Sequence, residues 1–351
     1  MDKVRVGFVG VGGMGQCAHL RNYVALDDCE VVAIAELRQG LAKRVAERYG
    51  VPRIYPDHEA MLAEEQLDAL VASQPYSRHG VLVPELYKAG VPVLTEKPLA
   101  RSVEAAEGIV AALGASSARH YVGYHKRSDP ATMYARDTID RLKASGELGA
   151  LRYVRILMPA GDWIANGFSH LLTSDEPMPP LESDPPPAGM DEDTSNEFNI
   201  FVNYYIHQVN LMRHLLGEPY SVSYADPARV LLAVHSASGV PGVIEMSPYQ
   251  TTIAWQEQAL IAFERGYLAL ELPAPLASNR PGSVTLYRDP GNGATPESIT
   301  PELPWIHAMR QQAINFIRAV RGAEGDALCQ APEALDDLRV ARDYIQMVRG
   351  G

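Results

Sequence analysis

Val4-Arg5-Val6-Gly7-Phe8-Val9-Gly10-Val11-Gly12-Gly13-Met14-Gly15 is the stretch on which the fold turns. Val4–Val9 is a β run. It passes straight into a glycine-rich turn, and Gln16–Leu26 then reads as a helix. The glycines follow G-x-G-x-x-G in its strand–turn–helix setting. Each meets a separate demand. Gly10 allows the tight turn, Gly12 lets the backbone approach a pyrophosphate, and Gly15 lets helix and strand pack closely. Gly13 and Met14 complete the loop. The helix N-terminus behind them presents N–H groups to phosphates. A plain glycine turn is the alternative.

Outward from this turn, Glu30–Ala35 is a second strand with Glu36 at its end, about where a dinucleotide fold places the acid that bonds the adenine ribose. Arg38, two residues on, could instead favour a 2′-phosphate, and an ordinary acidic helix start would also account for Glu36. Leu41–Tyr49 reads as a helix ended by Gly50, and Tyr55-Pro56-Asp57 opens another through Leu62. Leu67–Ala72 is the next strand. Ser73, Gln74, Pro75 and His79 follow at its carboxyl edge, where open α/β sheets bind ligands. After a helix over Val81–Ala89, the apolar run Val91–Leu94 ends abruptly in Thr95-Glu96-Lys97-Pro98. Pro98 fixes its own φ and turns Lys97 away from helix, so Glu96 and Lys97 are candidates at the same edge. A solvated Glu-Lys pair on a surface turn is the other reading. Val103–Leu113 is a helix and Tyr121–Tyr124 a last short strand. The alternation predicts a parallel, doubly wound sheet over residues 1–125.

The 351 residues exceed one ordinary core, which agrees with a second domain. Net charge of −12 argues against nucleic acid or an anionic membrane as a partner. Cys17, Cys29 and Cys329 lack metal-ligand spacing and fit a reducing compartment. No apolar run is long enough to span a bilayer, and strand-like sequence begins at Val4, so a cytoplasmic protein is expected.

From His125 the pattern changes. A helix to about Ser145 and a strand over Leu151–Met158 lead to Val230–His235, Val243–Met246, Thr252–Phe263, Tyr267–Leu272 and Val284–Tyr287. These predict an α+β domain over residues 126–305 with a large, mainly antiparallel sheet. Ala308–Val320 and Ala331–Val348, within 306–351, are closing helices expected to pack back near the first domain. Residues 159–197 form an insertion with Pro177, Pro179, Pro180 and Pro185–Pro187, and its second half has many acids and no Lys or Arg. It reads as a disordered solvated loop or as a lid or subunit contact, with Trp163 and His170 its candidates for ligand contact. Phe198–Gly217 reads as one helix, apolar almost all round and therefore buried. Yet Asn203, His207, Asn210 and His214 fall at i, i+4, i+7 and i+11, a polar stripe that suits a wet cleft.

Gly10-x-Gly12-x-x-Gly15, Glu96-Lys97-Pro98, Gly123-Tyr124-His125-Lys126-Arg127 and the helix with His207 together resemble the glucose–fructose oxidoreductase / inositol dehydrogenase / rhizopine-catabolism (Gfo/Idh/MocA) family over nearly the whole chain. The resemblance implies that Lys97 lies beside the nicotinamide and the reacting hydroxyl, and that His207 transfers the proton. Asn203 stands where the family has an aspartate, and Asn210 where an acid commonly follows the histidine. Trp255 matches the aromatic facing the substrate, and Lys126 and Arg127 the basic pair near it. The insertion with Trp163 is longer than the family leads one to expect. The implied activity is a dehydrogenase of a sugar, sugar acid or cyclitol, with NAD favoured over NADP through Glu36. No metal is needed, and a homodimer or homotetramer would form through the open face of the large sheet. The same scaffold also resembles glycosidases that use NAD for transient oxidation, and non-catalytic cofactor-sensing regulators. Retention of Lys97 and His207 counts against the latter.

Overall fold

A computed structural model describes residues 2–323, 325 and 327–350. The chain divides into two compact units. The first takes in Met1–Tyr124, Asn166–Asn199 and Gln312–Leu338, and the second His125–Ala165, Ile200–Gln311 and Arg339–Gly351.

The first unit is built on β1 (Val4–Val9), β2 (Cys29–Ala35), β3 (Arg53–Tyr55), β4 (Ala69–Ala72), β5 (Val93–Thr95) and β6 (His120–Val122). They pair in parallel in the order β6-β5-β4-β1-β2-β3, and the two-residue strand Cys329–Gln330 adds an antiparallel edge beside β6. The near-continuous apolar runs follow from burial on both faces. The strand order reverses at β1, so a crevice opens between the carboxyl ends of β1 and β4. Beneath lies a packed cluster in which the Tyr23 ring meets Phe8 edge-on at 5.4 Å and Phe316 at 6.3 Å. Burial of each such ring contributes roughly 1.5–3 kcal/mol. The expected helix after the glycine turn is present but irregular. A π-helical stretch, Gly15–Leu20, runs into the short α-helix Arg21–Tyr23, and single π-turns concentrate at functional sites. Tyr55 does not open a helix as the sequence predicts. It ends β3, and the Asp57 carboxylate caps helix His58–Glu64 by accepting from Ala60 N at 2.8 Å.

The second unit is organised on one eight-stranded sheet. Its strands are β7 (Leu151–Ala160), β8 (Tyr220–Ala225), β9 (Leu231–Ser236), β10 (Pro241–Gln250), β11 (Gln258–Phe263), β12 (Gly266–Glu271), β13 (Ser283–Arg288) and β14 (Glu297–Ile299). They run in the order β14-β13-β12-β11-β7-β10-β9-β8, antiparallel throughout save for the parallel β7–β10 pair. Burial alternates along β9 and β11, as one covered face requires. Helices Pro130–Ser145 and Ile206–Leu216 lie against the sheet.

Three expectations give way here. The strand predicted over Thr252–Phe263 begins at Gln258, while β10 extends to Gln250, so Trp255 stands on the loop between them. β8 and β14 escaped notice because β8 is largely exposed and β14 has three residues. The single helix Phe198–Gly217 is two, Glu192–Tyr204 and Ile206–Leu216, jointed at Tyr205. Neither Gly nor Pro marks the joint, where the Tyr205 hydroxyl bonds the Ser247 hydroxyl. The first helix recruits Glu192 and Asp193 into its first turn, where acids are favoured, so the insertion ends earlier than its composition suggests.

Cys17, Cys29 and Cys329 are buried and unbridged. Among the described residues no helix is long and apolar enough to cross a membrane.

Candidate functional site

In the first unit the glycine turn can be tested atom by atom. A Cβ on Gly15 would lie 2.6 Å from the Gly10 carbonyl oxygen, so only glycine permits that packing of helix on turn. Gly10 has φ +89°, and its Cβ would lie 2.6 Å from the Ser73 carbonyl oxygen. At Gly12 the nearest neighbour is Arg38 Nη2 at 4.0 Å, so the middle glycine faces open space. That space is a groove of about 470 Å³ lined by Gly10, Gly12, Glu36, Arg38 and Ser73-Gln74-Pro75. The arrangement fits a dinucleotide, with backbone on the pyrophosphate side and an acid at the ribose end.

Glu36 is buried and fixed from two sides. Oε2 accepts from Val11 N at 3.1 Å, and Oε1 accepts from Arg38 N at 3.2 Å and Nε at 2.9 Å. Arg38 is thus engaged by Glu36 itself. Lys97 follows β5 at the carboxyl edge, half-buried, with a cis peptide to Pro98. Its neighbour Glu96 accepts from Lys97 N at 3.2 Å and meets His19 Nε2 at 2.6 Å. Burial pushes the Glu96 carboxyl up, but the bond to His19 and the charges of His19 and Lys97 outweigh it and hold the group below its usual range.

His79 is not at the groove wall. Its ring is fully buried, with Nδ1 3.0 Å from the Leu99 carbonyl, so it braces the loop after Lys97; burial lowers its pKa. Behind β5, His120 joins Tyr87 OH at 2.7 Å and Thr95 Oγ1 at 2.9 Å, and burial drives its pKa down to about 3.

The insertion belongs to this unit from Asn166 to Asn199. It is laid along the carboxyl edge of the sheet. Leu172 bonds the Gln16 side chain through both its N–H and its carbonyl, at 3.1 and 3.0 Å. Of its two candidates, Trp163 lies in the second unit, and the His170 carbonyl accepts from Arg48.

In the second unit the basic pair turns inward. Lys126 forms a buried ion pair with Glu257, which also accepts from Gln208 Nε2 at 2.8 Å. The Lys126 ammonium stands 5.3 Å from the centre of the Trp255 ring. Arg127 Nε donates to His214 Nδ1 at 3.1 Å, and burial with that guanidinium holds His214 well below its ordinary pKa. His207 packs edge-on against His125 with ring centres 4.7 Å apart. Asn203 is exposed, on the helix before the Tyr205 joint, while Asn210 is buried. Trp255 and Glu257 also line a cavity of about 610 Å³ with Gln258, Glu271, Arg280 and Trp305. Asp129 caps helix Pro130–Ser145, accepting from Ala131 N at 2.8 Å and from Gly282 N at 2.9 Å. Burial still raises its carboxyl to about 6.

Sequence reasoning missed Gln16, Asp129, Glu257 and the groove contacts of the insertion. Glu257 left a signal, an acid two residues from Trp255 at the start of an apolar alternating strand.

Residues 4–124 match the family described as "Oxidoreductase family, NAD-binding Rossmann fold" (GFO_IDH_MocA). The chain is 26% identical over 260 residues to a scyllo-inositol 2-dehydrogenase (NAD(+)) of Bacillus subtilis strain 168, covering 70% of this chain and 67% of that one. It is 25% identical over 337 residues to an inositol 2-dehydrogenase of Rhizobium meliloti, covering 92% and 90%. Among solved structures, an Agrobacterium radiobacter oxidoreductase in complex with NAD+, L-tartaric acid and magnesium superposes with TM-score 0.70 at 14% identity, covering 99% of this chain and 97% of that one. This last likeness is one of fold.

Proposed function

We propose that the chain, whose residues 4–124 match the Gfo/Idh/MocA family of oxidoreductases, moves a hydride between NAD and a secondary hydroxyl of a sugar, sugar acid or cyclitol. The observation that carries the reading is the open face of Gly12 above a groove with Glu36 in its wall. When bound, the dinucleotide supplies the hydride donor or acceptor. Gly10, Gly12, Gly13, Met14 and Gly15 hold it through backbone, and Ser73-Gln74-Pro75 flank it. Glu36 accepts ribose hydroxyl bonds and repels a 2′-phosphate, which favours NAD over NADP. The Glu96 carboxylate orients the loop of Lys97 by accepting from the Lys97 backbone N–H.

Lys97 places an ammonium at the reacting oxygen and stabilises the alkoxide charge that develops there. His207 takes the hydroxyl proton as general base, its ring seated against His125. Asn203 offers an amide to a substrate hydroxyl. Lys126 and Arg127, both internally paired, shape the pocket wall through Glu257 and His214, and Trp255 offers a ring face to the sugar. The relatives that act on inositols favour a cyclitol. Tyr224 and Tyr267, exposed on the large sheet, suit a homodimer or homotetramer built on that face; a monomer at micromolar concentration would argue otherwise.

A panel of polyols, sugars and inositols read at the NADH absorbance tests the reaction, with parallel titrations of NAD and NADP. Reduction of NAD by at least one cyclitol or sugar is expected. Tighter binding of NADP would overturn the role given to Glu36.

A further inference from the structure

The proline-rich insertion is held by the first unit at points that together follow the dinucleotide groove. Phe168 stands 3.6 Å from where a Cβ on Gly13 would be, and Leu171 stands 3.9 Å away. Leu172 is fastened to Gln16, whose amide also donates to the Val11 carbonyl inside the glycine turn at 2.7 Å. Four residues on, the Glu176 carboxylate accepts from Gly40 N and Leu41 N, each at 2.9 Å, at the start of helix Gln39–Tyr49. Met178 and Leu181 then line the groove, whose remaining lining residues all lie between Val9 and Leu82. Finally Asp184, buried, accepts from Gly80 N at 3.0 Å, donates its own N–H to the Ser77 carbonyl at 2.6 Å, and receives Arg101 on its carbonyl at 3.1 Å.

The composition now has a physical reading. Prolines remove backbone donors and restrict the unfolded chain, so ordering this stretch costs less entropy than its length suggests. Its acids supply the acceptors that helix N-termini need. Without Lys or Arg it brings no positive charge to a phosphate, and what Met178 and Leu181 add over the groove is apolar cover.

We propose that residues Phe168–Asp184 form the outer wall of the dinucleotide site, with Met178 and Leu181 against the ligand and Glu176 and Asp184 as the latches that set its release rate. The proposal rests on dinucleotide binding at the Gly12 groove and adds residues from outside the region that the family match covers.

Stopped-flow displacement of NADH by excess NAD, followed by fluorescence, tests it on the full chain. Two paired variants are used, E176A with D184A and M178A with L181A. Each should release NADH about tenfold faster, with a smaller change in association. Amide deuterium uptake over 168–184 in the unaltered protein should fall when NAD is added. Thermal melts identify a variant that fails to fold. Met178 is 48% exposed, so its pair decides if the latch pair is lost. Release within about twofold of the unaltered rate in a folded M178A/L181A protein overturns the proposal, as does uptake indifferent to NAD. If the unaltered protein binds neither NADH nor NADPH, the reading of the groove itself fails.

Discussion

Gly10, Gly12 and Gly15 serve the first unit by what they lack, since each leaves room for backbone or ligand where a Cβ would intrude or block. Lys126, Glu257, Gln208 and Trp255 serve the second by what they carry. Their side chains come from three segments far apart in sequence and meet out of water. A site made of backbone is local in sequence and tolerant of distant change. A site made of buried charges is assembled over long range, and each member depends on the others being present.

The largest effect expected from breaking this contrast lies at the exception, the side chain of the first unit to which the proposed reaction gives a chemical role. If Lys97 holds the proposed role, Lys97→Ala should lower kcat about 10³-fold, since an ammonium there would act on charge that appears in the transition state. Dinucleotide affinity, set by backbone, should stay within about threefold by fluorescence titration. Full activity would return Lys97 to a surface turn.

Next comes the second unit's charge pair. Glu257→Gln leaves the Lys126 ammonium buried without its counter-charge, and denaturant unfolding should show a loss of about 3–5 kcal/mol. Adding Lys126→Met should recover much of it. A Glu257→Gln protein as stable as the original would mean that the ion pair is not desolvated in solution.

The units should also answer pH in opposite directions. His120 has a folded pKa of about 3 against 6.5 ordinarily. Its contribution is present above pH 6.5 and is lost as pH falls toward 3. Asp129 sits at about 6 against 3.8, so its contribution is complete below 3.8 and is lost as pH rises through 6. Asp129→Asn, which keeps an acceptor for Ala131 and Gly282, should stabilise the protein at pH 7.5 by on the order of 2 kcal/mol and do little at pH 4. Equal unfolding midpoints for mutant and parent at pH 7.5 would contradict the burial argument.

The smallest effect sharpens the comparison at the helix joint. Asn203→Asp puts a carboxylate near His207 but on an exposed position across Tyr205. The acidic limb of the rate profile should move to higher pH by less than about one unit. A larger shift would mean that the two side chains meet closely despite the joint.

Legibility in the sequence follows the same division. The strands of the parallel sheet, the glycine turn, Glu36 and the Glu96-Lys97-Pro98 turn were readable because each leaves its pattern within a few neighbouring residues. The Lys126–Glu257 pair spans 131 residues of sequence, and no periodicity announces such a partner. The joint at Tyr205 is invisible for a like reason: Ser247, on a later strand, completes it. The insertion looked structureless because a chain of prolines and acids has no repeat of its own. Its order is lent by Gly40, Leu41 and Gly80, whose N–H groups needed acceptors.

Phe316, Ile317 and Leu328 sit in one apolar cluster with Val6, Phe8 and Tyr23. On a ribosome this means that β1 is made long before the residues that complete its cover. The amino-terminal sheet must wait, with Phe8 and Tyr23 partly bare, until more than three hundred residues have been joined. At roughly 5–20 residues per second that wait lasts tens of seconds, the interval in which exposed strands are most open to chaperones and to one another.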